Sequence, residues 1–386
     1  MFNSSRFNLS VGQVLTFELL EGVAGDDELK VSFLATSAPA IGQEISFSFD
    51  NEFFNGVATE CSEEPSGTGF SRFTLCAKTL RHALNKEKKC VVYCDTDVET
   101  IIRSFGVSAK LKSFYEVNLK IQYNESDLNF MQRLLEDYNI IEFVKHSAGG
   151  SELVISDGDD FEERKLSLAK TRLQATENGN FFFGYGHSPL RPGMAVNAFG
   201  ETFIVCSAFH KGSQEAALGI KDKTDGYTCQ IAAFSKRILR NLPRRSKTIP
   251  YVPGIMVAKV EGFKGSFASL DDQGCYTVSM PFGELTNYPV PLAQNFDGVH
   301  FPLKKDTSVL LGFEGGNINR PVALGVLPDA SPVTKKNSHQ NILRTSSGIQ
   351  LIFDDSTGSL DIEAPADISI KAGSRLILKG KTVEIN

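Results

Sequence analysis

Apolar and polar residues alternate with a period of two through much of residues 1–85. Ile45, Phe47 and Phe49 form one apolar row, and Phe73, Leu75 and Ala77 another. This is the pattern of half-buried strands, whose side chains point alternately to two faces. The turn-forming run Glu64-Pro65-Ser66-Gly67 separates two such rows, so a β domain of barrel or sandwich type is expected. The period then changes to that of a helix. Val98, Ile101, Ile102 and Phe105 recur at i, i+3, i+4 and i+7, behind Thr96 and Glu99 at capping-box spacing and ahead of Gly106 as a stop. A second helix is expected from Ser126 to Tyr138. Leu128, Met131, Leu135 and Tyr138 share its apolar face, Phe130 and Leu134 lie beside it, and Asp127, Arg133 and Glu136 fall among its polar positions. Strand-like segments resume at Ile140–Phe143 and continue, with loops, to Phe234.

Two segments punctuate the C-terminal third of the chain. Residues 236–247 (KRILRNLPRRSK) carry only positive charge and contain Pro243, and read as a basic linker. Residues 329–341 (DASPVTKKNSHQN) read as a second one. Between them, short apolar runs at Ile255–Val260, Cys275–Met280, Val309–Phe313 and Val322–Val326 suit a small Greek-key barrel of OB-fold size.

The C-terminal segment repeats. Leu360, Ile362 and Ala364 alternate, then Ile368, Ile370 and Ala372, then Leu376, Leu378 and Gly380, each triplet eight residues after the last. Val383 and Ile385 continue the row one residue early, and Pro365-Ala366-Asp367 and Gly373-Ser374-Arg375 separate the triplets. A fixed short period marks a repeat architecture whose units cannot bury their apolar row alone. So few rungs in one chain would leave that row in water. The sequence therefore predicts a homotrimer in which Leu360, Ile362, Ile368, Ile370, Leu376, Leu378, Val383 and Ile385 of three copies meet in a shared core.

Composition narrows the function classes. At 386 residues the chain exceeds the ~250–300 residues at which single cores stop growing, so two or three domains are expected. Its 29 Phe and absence of Trp put aromatic burial on Phe, which suits β-rich cores. A net charge of −6 argues against nucleic acid or anionic lipid as a partner. Seven scattered cysteines complete no zinc spacing and read as core thiols in a reducing compartment. No basic segment followed by an apolar core opens the chain, so synthesis in the cytosol without a Sec-type signal is expected.

Catalytic constellations are sparse. Glu125, Ser126 and Asp127 point in different directions from a helix start and read as caps complementing the helix dipole. Arg133 and Glu136 read as a helix-surface pair or a contact between subunits. His82, His146, His187, His210, His300 and His339 are dispersed, with no metal-ligand spacing. The chain contains no nucleophile elbow, zincin motif or phosphate loop. Gly315, Gly316, Asn317 and Asn319 follow one strand and precede another, and so read as a hairpin turn. No catalytic, cofactor or metal site is expected.

These residues resemble the VgrG family of type VI secretion spikes, and with it the hub and spike of contractile phage tails. The clearest likeness runs from Ile121-Gln122-Tyr123-Asn124-Glu125-Ser126-Asp127 through Arg133-Leu134-Leu135-Glu136 to Phe143-Val144-Lys145-His146. Others are Phe53-Phe54-Asn55-Gly56-Val57, Asp272-Gln273-Gly274-Cys275-Tyr276-Thr277-Val278, and the stretch Phe313-Glu314-Gly315-Gly316-Asn317 to Arg320-Pro321-Val322. Cys275 stands where the family usually has Arg, and Asn317 where it has Asp; the family's Trp positions are empty. The resemblance implies a mainly β protein. Tail-hub-like β-barrels would occupy 1–245, with a helical insertion at about 95–146, an OB-fold domain would occupy 251–330, and an intertwined trimeric β-prism or β-helix needle 342–386. It also implies a non-enzymatic spike that caps an inner tube, punctures membranes and delivers effectors. Expected partners are an Hcp-like tube protein, baseplate components, a PAAR-type tip protein on the C-terminal end, secreted effectors and, on firing, the target membrane. The spike would be cytoplasmic when assembled and translocated on firing, with no effector domain beyond Asn386. Two other readings are a phage tail hub or extracellular injection particle and, in another class, a tail-associated peptidoglycan hydrolase.

Overall fold

The computed structural model describes residues 6–8, 13–25, 27–65, 69–109, 111–157, 161–165, 167–177, 179–213, 226–241, 250–262, 267–280, 282, 288–294, 299–327 and 338–384. Contacts divide the chain into two compact units, 1–327 and 328–386.

The first unit opens with six strands: β1 (Arg6–Phe7), β2 (Gln13–Gly22), β3 (Glu28–Ala35), β4 (Glu44–Phe49), β5 (Glu52–Pro65) and β6 (Ser71–Lys78). The rows read from sequence face the core: Ile45, Phe47, Phe49, Phe73, Leu75 and Ala77 are all 2% exposed or less. The Glu64–Gly67 turn lies partly outside the described residues. Gly56, in the aromatic-x-Gly-x-Val stretch, has a steric reason to be glycine, because a Cβ there would run into the Lys78 carbonyl.

A short helix α1 (Arg81–Leu84) leads to β7 (Lys88–Asp97), α2 (Val98–Ser104), β8 (Glu116–Ser126) and α3 (Asp127–Asp137). β7 and β8 form a separate antiparallel hairpin, and α2 and α3 bury Val98, Ile101, Ile102, Phe130, Met131 and Leu134 in one cluster. Ser126 caps α3, accepting from the Asn129 N–H at 3.2 Å, and Gly106 ends α2 with φ +74°.

Two local expectations are corrected. The cap of α2 is Asp97, not Thr96; its carboxylate accepts from the Thr100 N–H at 2.9 Å, and its extended φ of −132° suits the residue just before a helix. Arg133 forms no surface pair with Glu136. It is 4% exposed, donates to the Ile121 carbonyl at 2.8 Å, pairs with Glu125 and lies over the Phe130 ring. Its flat fork satisfies a strand carbonyl and a carboxylate together, which a compact surface charge would not.

After β9 (Ile141–Ser147) and β10 (Gly150–Ser156), which pair with each other, come β11 (Glu162–Arg164), β12 (Leu168–Thr176), β13 (Gly179–Gly186), β14 (Met194–Ala198), β15 (Glu201–Ser213) and β16 (Gly226–Ser235). The main sheet runs β1-β4-β5-β6-β3-β2-β15-β16-β13-β12, with β14 pairing β15 and β11 pairing β14. One Phe-rich core spans it, from Phe17, Phe33, Phe47 and Phe54 to Phe182 and Phe203. Each such ring removed from water contributes on the order of 1.5–3 kcal/mol.

The basic stretch begins within this fold rather than as a free linker. Lys236–Asn241 is a 3-10 turn anchored by Ile238, which is 8% exposed and packs where Gly179 lacks a side chain. Residues 242–247 lie outside the described residues.

A five-stranded antiparallel sheet comes next, from β17 (Met256–Val260), β18 (Cys275–Ser279), β19 (Tyr288–Pro291), β20 (Ser308–Phe313) and β21 (Pro321–Leu327), in the order β19-β18-β17-β20-β21. A parallel bridge between Leu292 and Ala323 brings its two ends together. The Gly315–Gly316 stretch is the expected connection between paired strands β20 and β21, and it also docks. Asn319 Oδ1 accepts from the Ile121 N–H at 3.1 Å, while Val92 and Ile121 of the β7–β8 hairpin share the apolar cluster of the small sheet.

The second unit contains β22 (Gln340–Arg344), β23 (Gln350–Asp354) and β24 (Ser359–Glu363), an antiparallel meander; residues 364–384 carry no helix or strand.

Candidate functional site

The predicted assembly residues stand in the second unit as a row open to solvent. Leu360 and Ile362 lie on β24, opposite Phe353 and Leu351 of β23. They are 54% and 52% exposed, and Ile370 and Leu378 reach 66% and 68%. Ile368, Leu376 and Val383 are equally bare, and Ile385 lies outside the described residues. The single chain thus brings together only the first rung. Ile377, on the opposite parity, is also exposed, as are Leu343, Ile349 and Phe353 of the meander. Large apolar side chains exposed in such number along one segment mark a surface that a partner would cover.

Within the first unit lies a feature of the opposite kind, a buried ionic cluster. In β2, Phe17, Leu19 and Glu21 share one face by alternation, and all three are buried. Glu21 accepts from Arg191 Nε at 2.9 Å and meets His210 Nε2 of β15 at 3.2 Å and His146 Nε2 of β9 at 3.7 Å. Arg191 also reaches Glu52 at 3.4 Å. Gly193 holds the loop that carries Arg191. Its φ is +82°, and a side chain there would strike the Phe143 ring. Next to it Arg81, 1% exposed, pairs with Glu142 at 2.7 Å and approaches Asp27 at 3.7 Å, while Gln132 donates to Glu142 at 2.8 Å.

Burial alone would raise the Glu21 pKa, but Arg191 and His210 hold it well below the carboxylate range. Burial alone would lower His210, but its neighbours Cys229 and Glu21 more than offset this and push the group up to about 9, so the imidazolium donates from Nε2 to Glu21 at 3.2 Å and from Nδ1 to the Tyr227 hydroxyl at 2.7 Å. His146 is driven by burial down to about 3. It stays neutral, its Nδ1 accepting from the Asn55 N–H at 3.0 Å. Burial raises Asp27 to about 7.

A thiol, an imidazole and a carboxylate thus meet at Cys229, His210 and Glu21, but Cys229 and His210 are 0% exposed and Glu21 2%. The groups neutralise one another and tie β2, β9 and β15 to the Arg191 loop. Their chemistry is structural. Sequence spacing hid this cluster, since Glu21 and His210 alone lie 189 residues apart. The legible signal was a glutamate continuing the inward-facing row of Phe17 and Leu19. Among the described residues no group of three or more His, Cys, Asp or Glu is arranged to hold a metal ion.

With this geometry in view, residues 28–189 match the family model of the phage tail baseplate hub. Two curated relatives are spike proteins of the type VI secretion system in Pseudomonas aeruginosa. VgrG1c is 25% identical over 169 residues, 38% of this chain and 23% of that protein; VgrG1b is 23% identical over 155 residues, 38% of this chain and 21% of that protein. The matched stretch thus spans under a quarter of either relative. Among solved structures, the c3393 protein of E. coli, a component of the type VI secretion system structurally similar to the T4 tail proteins gp27 and gp5, superimposes with a TM-score of 0.69 at 18% identity. That match covers 84% of this chain and 100% of that one. A chain of the Francisella PdpA–VgrG complex superimposes with a TM-score of 0.58 at 10% identity, covering 91% and 76%. The fold is shared with these solved structures, and the hub model matches within it. The chain resembles the VgrG family of type VI secretion spikes.

Proposed function

We propose that this chain is a non-enzymatic structural spike of a contractile injection machine, working as a homotrimer that caps the inner tube, punctures target membranes and delivers effectors. The observation that carries the reading is the bare Leu/Ile row at 360–383, attached to a chain of tail-hub fold. Three copies wound about one axis would bury that row and leave no exposed strand edge at the tip, a stiff needle separable only by parting all its strands. The five-stranded sheet over 256–327, its ends brought together at Leu292 and Ala323, is read as the OB-fold collar above a C-terminal β-prism. The tube protein, baseplate components, a PAAR-type tip protein and carried effectors are the partners this reading assigns. The spike would assemble in the cytoplasm and leave it on firing. The match to the baseplate-hub model favours, as a second reading, the same part in a phage tail or extracellular particle; neighbouring capsid genes rather than membrane-complex genes would select it.

Light scattering on the purified full chain tests the proposal. A mass three times that of the 42.2 kDa chain is expected, and deletion of 342–386 is expected to loosen or abolish the trimer. A monomeric full chain would overturn the spike, and an equally stable truncated trimer would move assembly to the barrels.

A further inference from the structure

We propose that neighbouring copies join edge to edge through the main sheet, the free edge of β5 in one copy lying along the free edge of β12 in the next. This rests on the assembly reading above and names a contact within it. The two edges stand towards opposite ends of the sheet. β12 ends the strand order and, among the described residues, pairs with β13 alone. β5 pairs with β4 through 52–57 and with β6 through 57–65, so among the described residues 59–65 has a ladder partner on one side only. Bare edges of this length invite another strand unless something blunts them.

Their charges select the partner. Residues 59–65 (TECSEEP) hold Glu60, Glu63 and Glu64 and no cation, while residues 168–176 (LAKTRLQAT) hold Lys170 and Arg172 and no carboxylate. All five are exposed. Local groups answer part of this charge: Glu63 accepts from Ser71 Oγ at 2.6 Å, Glu64 stands opposite Arg72 in the ladder, and Glu177 follows β12. The edges nevertheless remain acidic and basic. Like against like would oppose carboxylate to carboxylate or cation to cation, whereas acidic against basic gives favourable cross-strand pairs. A contact between two different edges is head-to-tail, and such contacts close into a ring when the rotation between copies is one third of a turn. The core side of β12 also lacks cover. Leu173 stands opposite the fully buried Phe182 yet is itself 40% exposed, and a strand laid along β12 would shield it.

Zero-length carbodiimide cross-linking of the full-length assembly, prepared from mixed nitrogen-14 and nitrogen-15 chains, reads this contact by mass spectrometry. Mixed-isotope links from Lys170 to Glu60, Glu63 or Glu64 are expected. A trimer lacking them, or one linking Lys170 to other carboxylates of the neighbour, overturns this contact and leaves the assembly reading standing; a monomer overturns both. Charge reversal supplies the second arm. Lys170→Glu with Arg172→Glu, or Glu60→Lys with Glu64→Lys, is expected to weaken association by about tenfold, and all four changes in one chain to restore it. Failure of the fourfold variant to recover overturns the pairing.

Discussion

Ile370→Asp in the full chain is expected to release most of the assembled protein as monomer, with the 1–327 unit still folded. Ile370 is 66% exposed in a single chain, so within one copy an aspartate there meets water and disturbs little. In a shared three-fold core the same change places three carboxylates close together in an apolar setting. Burying an unpaired charge is expensive enough that the group ionises less or the interface opens, at several kcal/mol per site. Light scattering and thermal melting over a range of concentrations check this. Wild-type melting should depend on protein concentration and the variant's should not. Ile370→Leu should retain the assembly, because it keeps apolar volume at the site. An Ile370→Asp protein with unchanged mass and melting would place this residue outside any interface.

The second large effect belongs to the ionic cluster. Glu21→Ala leaves Arg191 and His210 buried without their carboxylate, and removing one partner of a buried pair costs about 3–5 kcal/mol. A denaturant titration of the 1–327 signal measures it, and a loss below about 1 kcal/mol would mean that water or Glu52 takes over. pH dependence arises from the same groups. His210, held near 9 against an ordinary 6.5, keeps its proton in the folded protein where the unfolded chain has released it. Its stabilisation is complete below pH 6.5 and is lost as pH rises through 9. Asp27, raised from 3.8 to about 7, also lowers stability as pH rises, over the range below 7. His146 acts in the opposite sense, since a group held near 3 weakens the fold as pH falls from 6.5. Melting temperature should therefore decline between pH 6.5 and 9, and His210→Gln should flatten that decline. An equally steep slope in the variant would assign the titration to another group.

Periodicity and tertiary contact account for different parts of this molecule. The inward rows of β4 and β6, the span and cap of α3 and the Gly106 stop come from local rules, since strand parity and helix capping depend on residues a few positions apart. The Asp97 cap is not legible in the same way, because two neighbouring residues could each cap α2 and only backbone direction chose between them. Arg133 departs from its expected place for a similar reason: helical spacing put Glu136 within reach, but the fold set Glu125 and the Ile121 carbonyl closer.

The sequence alone determined that the chain is mainly β, that two helices interrupt its strands near residues 98 and 127, and that its C-terminal segment repeats every eight residues without the means to bury its own apolar row. Those features are periodic, and periodicity is written locally. Only the tertiary structure decided that Glu21, Arg191, His210 and His146 share one buried site, that Asn319 ties the small sheet to the β7–β8 hairpin, and that β5 and β12 lie towards opposite ends of one sheet. These are meetings between residues far apart in the chain, and what selects them is the packing of the whole core and the pairing of every buried charge, which no window of sequence contains.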